Sequence, residues 1–292
     1  MYTQFFGNFL LSKGYITNEQ LFDALKEKAQ KHAKLGTLAI HSGLMTAAEV
    51  DSVIVEQTHQ DKKFGELTIE MGYLTDEQVK ELLSIQSPDF LLLGQILLDK
   101  GIIDNTTLEK SIHDYRNENA ISDLDMVLED KDSINHLIGH FFANTGIDPS
   151  AIDIMYLELL FNSFIRFVGD DYTPLSAEIC DSFSADCMVR QDIKGSYAIS
   201  TYIGMSQTTA INFASRYVNE SFSVYDEYVQ ASLDDFLNLN NGLFLVNCSN
   251  DQALELTLTA PEHFDGQTLS FNKACKLKLL YPFGAIHFII EF

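Results

Sequence analysis

The apolar and glycine positions of the first 115 residues recur with a period of 29 residues. The recurring glycines are Gly7, Gly36, Gly65 and Gly94, and then Gly14, Gly43, Gly72 and Gly101. A period this regular indicates stacked helical units, each too small to bury its own apolar face. Each copy reads as a short helix, a glycine at the helix end, and a second helix. The pattern therefore predicts an all-α domain of four 29-residue repeats over residues 1–115.

The second helix of each predicted copy begins with a capping signal. In a capping box, a Thr hydroxyl and a Glu or Gln side chain three residues later satisfy each other's free backbone N–H groups. Three copies carry this pair and the fourth carries an Asp cap alone: Thr17 with Gln20, Thr46 with Glu49, Thr75 with Gln78, and Asp104. We therefore expect a helix to begin after each cap.

A different pattern follows the repeats. Residues 116–148 are acidic and polar with weak periodicity, which predicts a linker with a short helix near residues 133–143. Residues 149–292 predict an α+β domain with an antiparallel sheet. Its first helix is expected to start at Asp148 and Pro149 and to run to about Val168. Runs typical of half-buried strands follow at 185–191, 196–202, 253–259, 275–281 and 286–292, with a helix at 207–218.

Residues 224–244 predict an amphipathic helix whose two faces differ sharply. At about 100° per residue, one face gathers Val229, Leu233, Phe236, Leu237, Asn240 and Phe244, which we assign to the core. The opposite face carries Ala231, Asp235, Asn238 and Gly242. A carboxylate and a carboxamide therefore point outward one turn apart, between small residues that let another surface approach closely.

The ends of this helix are predicted from its polar residues. Ser223 is expected to cap the N-terminus, where its hydroxyl can satisfy a free backbone N–H group. Asp234, Asn240 and Asn241 are interpreted as ordinary polar residues close to the C-terminal end.

This helix resembles the signature helix of the CheX/CheC family of chemotaxis phosphatases, whose pattern is Glu-x-x-Asn-x-x-x-Gly. The present chain reads Asp235-Phe-Leu-Asn238-Leu-Asn-Asn-Gly242, with Asp in place of Glu. The resemblance spans about residues 149–292 and implies a CheX-like α+β fold. It also implies an enzyme that hydrolyses the phospho-aspartate of a CheY-like receiver domain.

The same resemblance implies a role for each matching residue. Asn238 would orient the attacking water, because a carboxamide offers donors and an acceptor and keeps its charge near neutral pH. Asp235 would pair with a lysine of the receiver and fix the docking register. Ala231 and Gly242 would leave room for the receiver. The protein would need no cofactor of its own, since the receiver carries Mg²⁺, and a homodimer through the C-terminal domain is implied.

The repeats resemble MshEN-like domains, the N-terminal domains of secretion and pilus-assembly ATPases, some of which bind cyclic di-GMP. The shared pattern is Leu-Gly-x-x-Leu-x-x-x-Gly-x-Ile-x-x-x-x-Leu-x-x-x-Leu-x-x-Gln. The nucleotide-binding residues that this resemblance implies are Lys34, Gly36, Gln57, Lys63, Gly65 and Gln86. The chain has Lys where the binding members usually have Arg, and Lys lacks the planar fork that holds phosphate or guanine in two places. A purely structural or protein-docking array explains the same glycines and leucines.

The net charge of the chain limits the classes of partner that it is expected to bind. A net charge of −23 argues against nucleic acid and against anionic membranes, since phosphate binding relies on Lys and Arg. With no apolar run of 18 residues and no signal-peptide pattern, a soluble cytoplasmic protein is expected. The four cysteines show no Cys-x-x-Cys spacing and are interpreted as buried reduced thiols. No residue pattern indicates a metal site.

Two functions remain open from the sequence. The first is a receiver phosphatase in chemotaxis or two-component signalling, with an N-terminal regulatory or docking domain. The alternative is a non-catalytic signalling adaptor, in which the Asp-for-Glu change marks lost activity and the repeats bind a cyclic dinucleotide or a protein.

Overall fold

The structure of the chain is a computed structural model, which describes residues 2–27, 33–84, 89–118, 138, 142 and 145–292. The chain forms two compact units that span residues 2–128 and 129–292. The division falls within the predicted linker of residues 116–148. The short helix expected near residues 133–143 lies almost wholly outside the described residues.

The N-terminal unit is helical throughout its described elements. Its helices are α1 (Tyr2–Ser12), α2 (Asn18–Glu27), α3 (Leu35–His41), α4 (Ala47–Gln57), α5 (Phe64–Glu70), α6 (Asp76–Ser84), α7 (Asp89–Asp99) and α8 (Asn105–Glu118). The all-α character agrees with the sequence analysis, while the four-copy repeat remains a prediction. No helix in the described part of the chain is both long and apolar enough to cross a bilayer.

The local turn and cap predictions in this unit are confirmed. Gly14, Gly43, Gly72 and Gly101 have φ values of 72°, 65°, 76° and 64°, the left-handed conformation that glycine adopts most easily. Thr46 and Glu49 form both hydrogen bonds of a capping box, and the other two predicted boxes form as well. The carboxylate of Asp104 accepts from the backbone N–H of Thr107 at 2.7 Å. These predictions succeed because each depends on residues within one helical turn.

The C-terminal unit combines three long helices with strands over residues 145–292. The helices are α9 (Ala151–Phe167), α10 (Gln207–Tyr217) and α11 (Glu227–Gln252). The strands are β1 (Thr173–Ile179), β2 (Ser182–Ser184), β3 (Cys187–Gly195), β4 (Ile199–Met205), β5 (Leu256–Leu258), β6 (Glu262–His263), β7 (Thr268–Ser270), β8 (Ala274–Tyr281) and β9 (Gly284–Glu291). This unit is therefore an α+β domain, as predicted.

The main sheet of this unit is antiparallel. Its strand order is β1-β8-β9-β4-β3-β5, and β6 also pairs with β3. A separate two-stranded sheet joins β2 and β7. Helix α11 contacts α9 and α10 as well as β3, β4 and β5. The sheet and two helices thus fix the position of α11.

Several strand boundaries differ from the predicted ones. The runs predicted at 275–281 and 286–292 correspond to β8 and β9, but the run at 196–202 is shifted to Ile199–Met205. The run at 253–259 contains only the three residues of β5, because Ala253 forms the left-handed C-cap of α11 and the strand begins only at Leu256. Strand β1 was not predicted. Its apolar alternation is interrupted at a register shift between Leu175 and Glu178.

Two predicted helix starts are wrong. Helix α9 is capped by Ser150, not Asp148, and Ser150 and Asp153 form a full capping box. Helix α11 is capped by Asp226, not Ser223, because the Asp226 carboxylate accepts from two backbone N–H groups of the first turn. In both cases the better cap lies closer to the first apolar residues of the helix.

The predicted core face of α11 is confirmed. Its six residues are all fully buried: Val229, Leu233, Phe236, Leu237, Asn240 and Phe244. The ring of Phe236 contacts the rings of Phe164 at 4.8 Å and Phe213 at 5.2 Å between centroids. Aromatic contacts with α9 and α10 therefore fix the rotation of α11, and with it the residues that face outward.

The four cysteines are free and buried, as predicted. Burial raises the pKa of the Cys187 thiol to about 11 and that of Cys275 to about 12. These thiols stay protonated near neutral pH and are therefore poor nucleophiles.

His287 in β9 gives a pH-dependent contribution to stability. Burial lowers the pKa of His287 to about 4. The nearby Lys276 and Lys278 ammonium groups lower it as well, and the Glu178 carboxylate raises it by a smaller amount. Because the unfolded chain takes up this proton near pH 6.5, the contribution is intact above that pH and is lost as the pH falls towards 4. Between pH 7 and pH 5 we expect a loss of roughly 2 kcal/mol.

Urea unfolding of the wild type and His287→Phe at both pH values measures this loss. The variant keeps a ring beside Phe183 but cannot bind a proton there. Between pH 7 and pH 5 its free energy of unfolding should therefore fall by roughly 2 kcal/mol less than that of the wild type. An equal pH dependence in the two proteins would contradict the assignment.

Candidate functional site

The outward face of α11 forms a continuous strip along the helix. Ala231, Asp235 and Asn238 are exposed on it, and Gly242 is half-exposed. Two large apolar side chains continue the strip, one in each direction: Tyr228 is 64% exposed and Val246 55%. We call these six residues the outer strip of α11. A polar pair thus lies in the middle of an exposed, partly apolar surface.

Asp235 is held by a tyrosine of α10. The Tyr217 hydroxyl donates a hydrogen bond to Oδ2 of Asp235 at 2.6 Å. The ring of Tyr217 packs on Phe213 and against the edge of Phe236. Burial and the neighbouring Asp235 carboxylate raise the pKa of Tyr217, so its proton stays in place to orient the carboxylate. Tyr217 could not be identified from the sequence, because it comes from a different helix.

Asn238 is held by a glutamine of the sheet. The fully buried Gln191 of β3 donates from Nε2 to Oδ1 of Asn238 at 2.8 Å. The same Nε2 atom also donates to the backbone carbonyl of Thr259 at 2.9 Å. The amide nitrogen of Asn238 and the second lone pair of its oxygen remain for an external group. Gln191 was not recognised from the sequence because it lies within an otherwise ordinary strand.

A buried polar network lies behind Asn238 and corrects the interpretation of two residues. Asn240 and Asn241 were both interpreted as polar residues at the helix end, although the helical period also assigned Asn240 to the core face, and both are fully buried. Asn241 joins Tyr156 at 2.7 Å, Gln191 at 2.9 Å and Thr201 at 2.9 Å. These asparagines lie in the middle of α11, because the helix continues ten residues beyond Gly242 to Gln252.

Asp234 is directed away from the outer strip. Its carboxylate contacts Nε2 of His263 in β6, at 3.1 Å from Oδ2. No group of three or more His, Cys, Asp or Glu side chains in the described residues is arranged to hold a metal ion. The chemistry available on the outer strip is therefore that of one oriented carboxylate and one oriented carboxamide.

The candidate residues of the N-terminal unit are engaged within that unit. The ammonium of Lys34 donates to Oδ1 of Asp99 at 2.7 Å, and Gln57 donates to the carbonyl of Lys62 at 3.1 Å. The backbone N–H of Lys63 donates to Glu66 at 3.0 Å. Gln86 lies outside the described residues.

Two further candidates are glycines at close helix contacts. A Cβ atom on Gly36 would lie 3.0 Å from Cγ1 of Val50, and one on Gly65 would lie 3.2 Å from Cδ2 of Leu35. Packing alone therefore explains glycine at both positions.

A cavity of about 820 Å³ brings three of these candidates together. Lys34, Gly36 and Gln57 line it, together with Leu83, Ile54 and the carboxylates of Asp51, Asp99 and Asp104. Among the described residues that line the cavity, one ammonium faces three carboxylates, and one of the three already pairs with it. This charge balance disfavours a ligand with two phosphates.

The comparisons with known proteins concern about half of the chain. No protein-family model and no curated protein gives a significant match. Solved structures that are similar include a chemotaxis protein CheX from Desulfovibrio desulfuricans, with 13% identity and a TM-score of 0.42 over 48% of this chain and 98% of the other. A CheC-like superfamily protein from Shewanella sp. PV-4 has 15% identity and a TM-score of 0.43 over 49% and 97%.

A chain from the CheX–CheY–BeF3–Mg²⁺ complex of Borrelia burgdorferi is also similar, with 18% identity and a TM-score of 0.38 over 47% of this chain and 94% of the other. Over about half its length, the present chain is therefore similar to chemotaxis proteins of the CheX and CheC types.

Proposed function

We propose that the C-terminal unit is a phosphatase of phospho-aspartyl receiver domains, with the N-terminal unit serving regulation or docking. The observation that carries the proposal is the way Asn238 is held. An asparagine on a merely solvated helix face would rotate freely, whereas the oxygen of Asn238 is bonded to a fully buried glutamine. The chain thus presents an exposed carboxamide in a fixed orientation.

The proposed reaction requires little chemistry from this chain. Water attacks the phosphorus of the phospho-aspartate, the bond from phosphorus to the aspartyl oxygen breaks, and the products are the free aspartate and inorganic phosphate. The receiver supplies its own Mg²⁺ and a lysine, which neutralise the developing charge. Asn238 can donate to one water and accept from it, and so can place that water in line with phosphorus. Positioning of this kind is a major source of rate enhancement.

Asp235 has the role of a docking residue in this proposal. Its carboxylate lies one turn from Asn238 and has an oxygen, Oδ1, on the side away from the atom that Tyr217 binds. A lysine ammonium from the receiver can pair with this carboxylate and fix the register of the two proteins. Aspartate reaches less far than the glutamate of the family pattern, and the small side chain of Ala231 permits a closer approach.

The surroundings of the polar pair suit a protein partner. Tyr228 and Val246 are exposed on the same strip. Exposed apolar surface around a polar centre is typical of protein-binding sites. The partner would therefore bury these side chains while it brings its phosphoryl group to Asn238. A homodimer through the C-terminal unit remains a prediction of the family resemblance.

The non-catalytic alternative makes a different prediction for the same surface. An adaptor would bind a phosphorylated receiver through the outer strip without changing its rate of decay. Phosphate release from a CheY-type receiver supplied with acetyl phosphate and Mg²⁺, measured with and without this protein, distinguishes the two. An increase that saturates with receiver concentration supports the phosphatase. Binding with no increase supports the adaptor.

Replacing Asp235 by Asn should weaken docking more than turnover. The change keeps an acceptor for Tyr217 but removes the charge that attracts a lysine. A surface ion pair contributes up to about 1 kcal/mol, so KM for the phosphorylated receiver should rise about five-fold with kcat nearly unchanged. Asp235→Glu should keep or raise activity.

Asp251→Asn is the matched control, because this exposed carboxylate lies on the same helix near its C-terminal end. Equal KM values for Asp235→Asn and Asp251→Asn would remove Asp235 from the docking site.

A further inference from the structure

Two backbone carbonyls determine which groups donate and which accept in the hydrogen bonds behind Asn238. The carbonyl of Thr259 can only accept, so the atom of Gln191 that contacts it must be the nitrogen Nε2, at 2.9 Å. That nitrogen also contacts Asn238 at 2.8 Å, and Asn238 must therefore present its oxygen to Gln191. The amide nitrogen of Asn238 is left facing outward.

The other end of Gln191 agrees with this direction. Its oxygen Oε1 accepts from Nδ2 of Asn241 at 2.9 Å, so the oxygen of Asn241 accepts from the Tyr156 hydroxyl at 2.7 Å. The hydroxyl of Thr201 donates to the backbone carbonyl of Gln191 at 2.9 Å and accepts from Asn241. Each carboxamide in the network therefore has one orientation that satisfies its neighbours.

We infer that Gln191 is a positioning residue for the proposed phosphatase reaction, holding Asn238 with its amide nitrogen towards the partner. The inference rests on the proposed function. Gln191 does not touch the receiver, since it is fully buried. It acts by fixing the side-chain torsion of Asn238, so that the amide N–H groups meet the water or a phosphoryl oxygen without a search for the productive orientation.

Loss of this hold should affect turnover and leave docking unchanged. In Gln191→Met the side chain keeps its length but has no donor for Asn238, whose carboxamide then rotates freely. Catalysis that depends on position loses about 100-fold for an error near 1 Å, so we expect kcat to fall 10- to 100-fold. Asp235 and the apolar residues of the outer strip are unchanged, so KM should stay within about two-fold.

The matched control is Ile193→Ala, a buried position on the same strand and the same face, two residues beyond Gln191. This variant lowers stability by loss of packing but removes no hydrogen bond from Asn238. Its kcat should therefore equal that of the wild type. A fall in kcat as large as that of Gln191→Met would overturn the inference, because general destabilisation would then explain both.

A second measurement tests the inference without receiver and without a mutation. NMR relaxation of side-chain carboxamides in the full-length wild type should give Asn238 an order parameter near the value of about 0.85 that rigid backbone shows. The exposed Asn250 on the same helix should give a value below about 0.6. An Asn238 as mobile as Asn250 would overturn the inference. A wild type that releases no phosphate from receivers would instead contradict the proposed function, and the two failures are thus distinguishable.

Discussion

Asn238→Ala removes receiver dephosphorylation while the protein stays folded. The change deletes the one oriented carboxamide of the outer strip, so kcat should fall by about 100-fold or more. Stability should change by less than about 1 kcal/mol, because Asn238 is exposed and water can replace its oxygen as acceptor for one N–H of Gln191, while the other N–H keeps its hydrogen bond to the carbonyl of Thr259. Phosphate release from a phosphorylated CheY-type receiver, with thermal unfolding in parallel, measures both quantities.

Asn250→Ala provides the control for this result. Asn250 is exposed on the same helix and lies three turns from Asn238. The control removes the same side chain from a solvated position and should leave turnover unchanged. Unchanged turnover in Asn238→Ala as well would end the assignment of Asn238 to the reaction.

Asn241→Ala should cost the largest loss of stability among the polar substitutions on α11. The change leaves the hydroxyl proton of Tyr156 without its acceptor and Oε1 of Gln191 without its donor, both in the buried interior. An unsatisfied buried polar group costs about 1 to 3 kcal/mol, so we expect a loss of about 3 kcal/mol or more. Hydrogen exchange of α11 and β3 peptides in the full chain measures this free energy.

The same Asn250→Ala variant serves as the comparison, with an expected change within about 0.5 kcal/mol. A loss in Asn241→Ala no greater than that of the control would show that the network contributes little to stability. Turnover in Asn241→Ala should fall too, since Gln191 loses the contact that holds its far end.

The outward pair on α11 could be predicted from the sequence because it depends on one helical period. Once the apolar residues define the core face, Asp235 and Asn238 must point away from it. The groups that hold them, Tyr217 and Gln191, could not be predicted. They come from α10 and β3, and periodicity within one helix carries no information about contacts between distant segments.

The error over Asn240 and Asn241 has a related cause. A run of polar residues before Gly242 is typical of a helix end, since Asn competes for backbone hydrogen bonds and glycine favours other conformations. Here Ser163, Tyr156 and Thr201 satisfy the two asparagines in the interior, and the helix continues to Gln252. The polar residues and Gly242 indicated that the helix ends there, but the tertiary hydrogen bonds of the two asparagines stabilise its continuation.

The helices of the N-terminal unit show the opposite case. Their caps and left-handed glycines were predicted correctly because every partner lies within a few residues. Whether this unit binds a nucleotide could not be predicted from such local signals. Lys34 and Asp99 are 65 positions apart in the sequence but form an ion pair. The Lys34 ammonium, which the family resemblance assigns to nucleotide binding, is therefore already paired with a carboxylate of the same unit.

The central claim is tested most directly by the decay of a receiver that has been phosphorylated and freed of phosphodonor. The full-length protein is added at one-tenth of the receiver concentration in the presence of Mg²⁺, and the remaining phospho-aspartate is followed with time. The account predicts that decay accelerates in proportion to the added protein, that each molecule turns over more than once, and that Asn238→Ala returns the rate to the intrinsic value. Decay at the intrinsic rate with wild-type protein, for receivers that bind to it, would contradict the account.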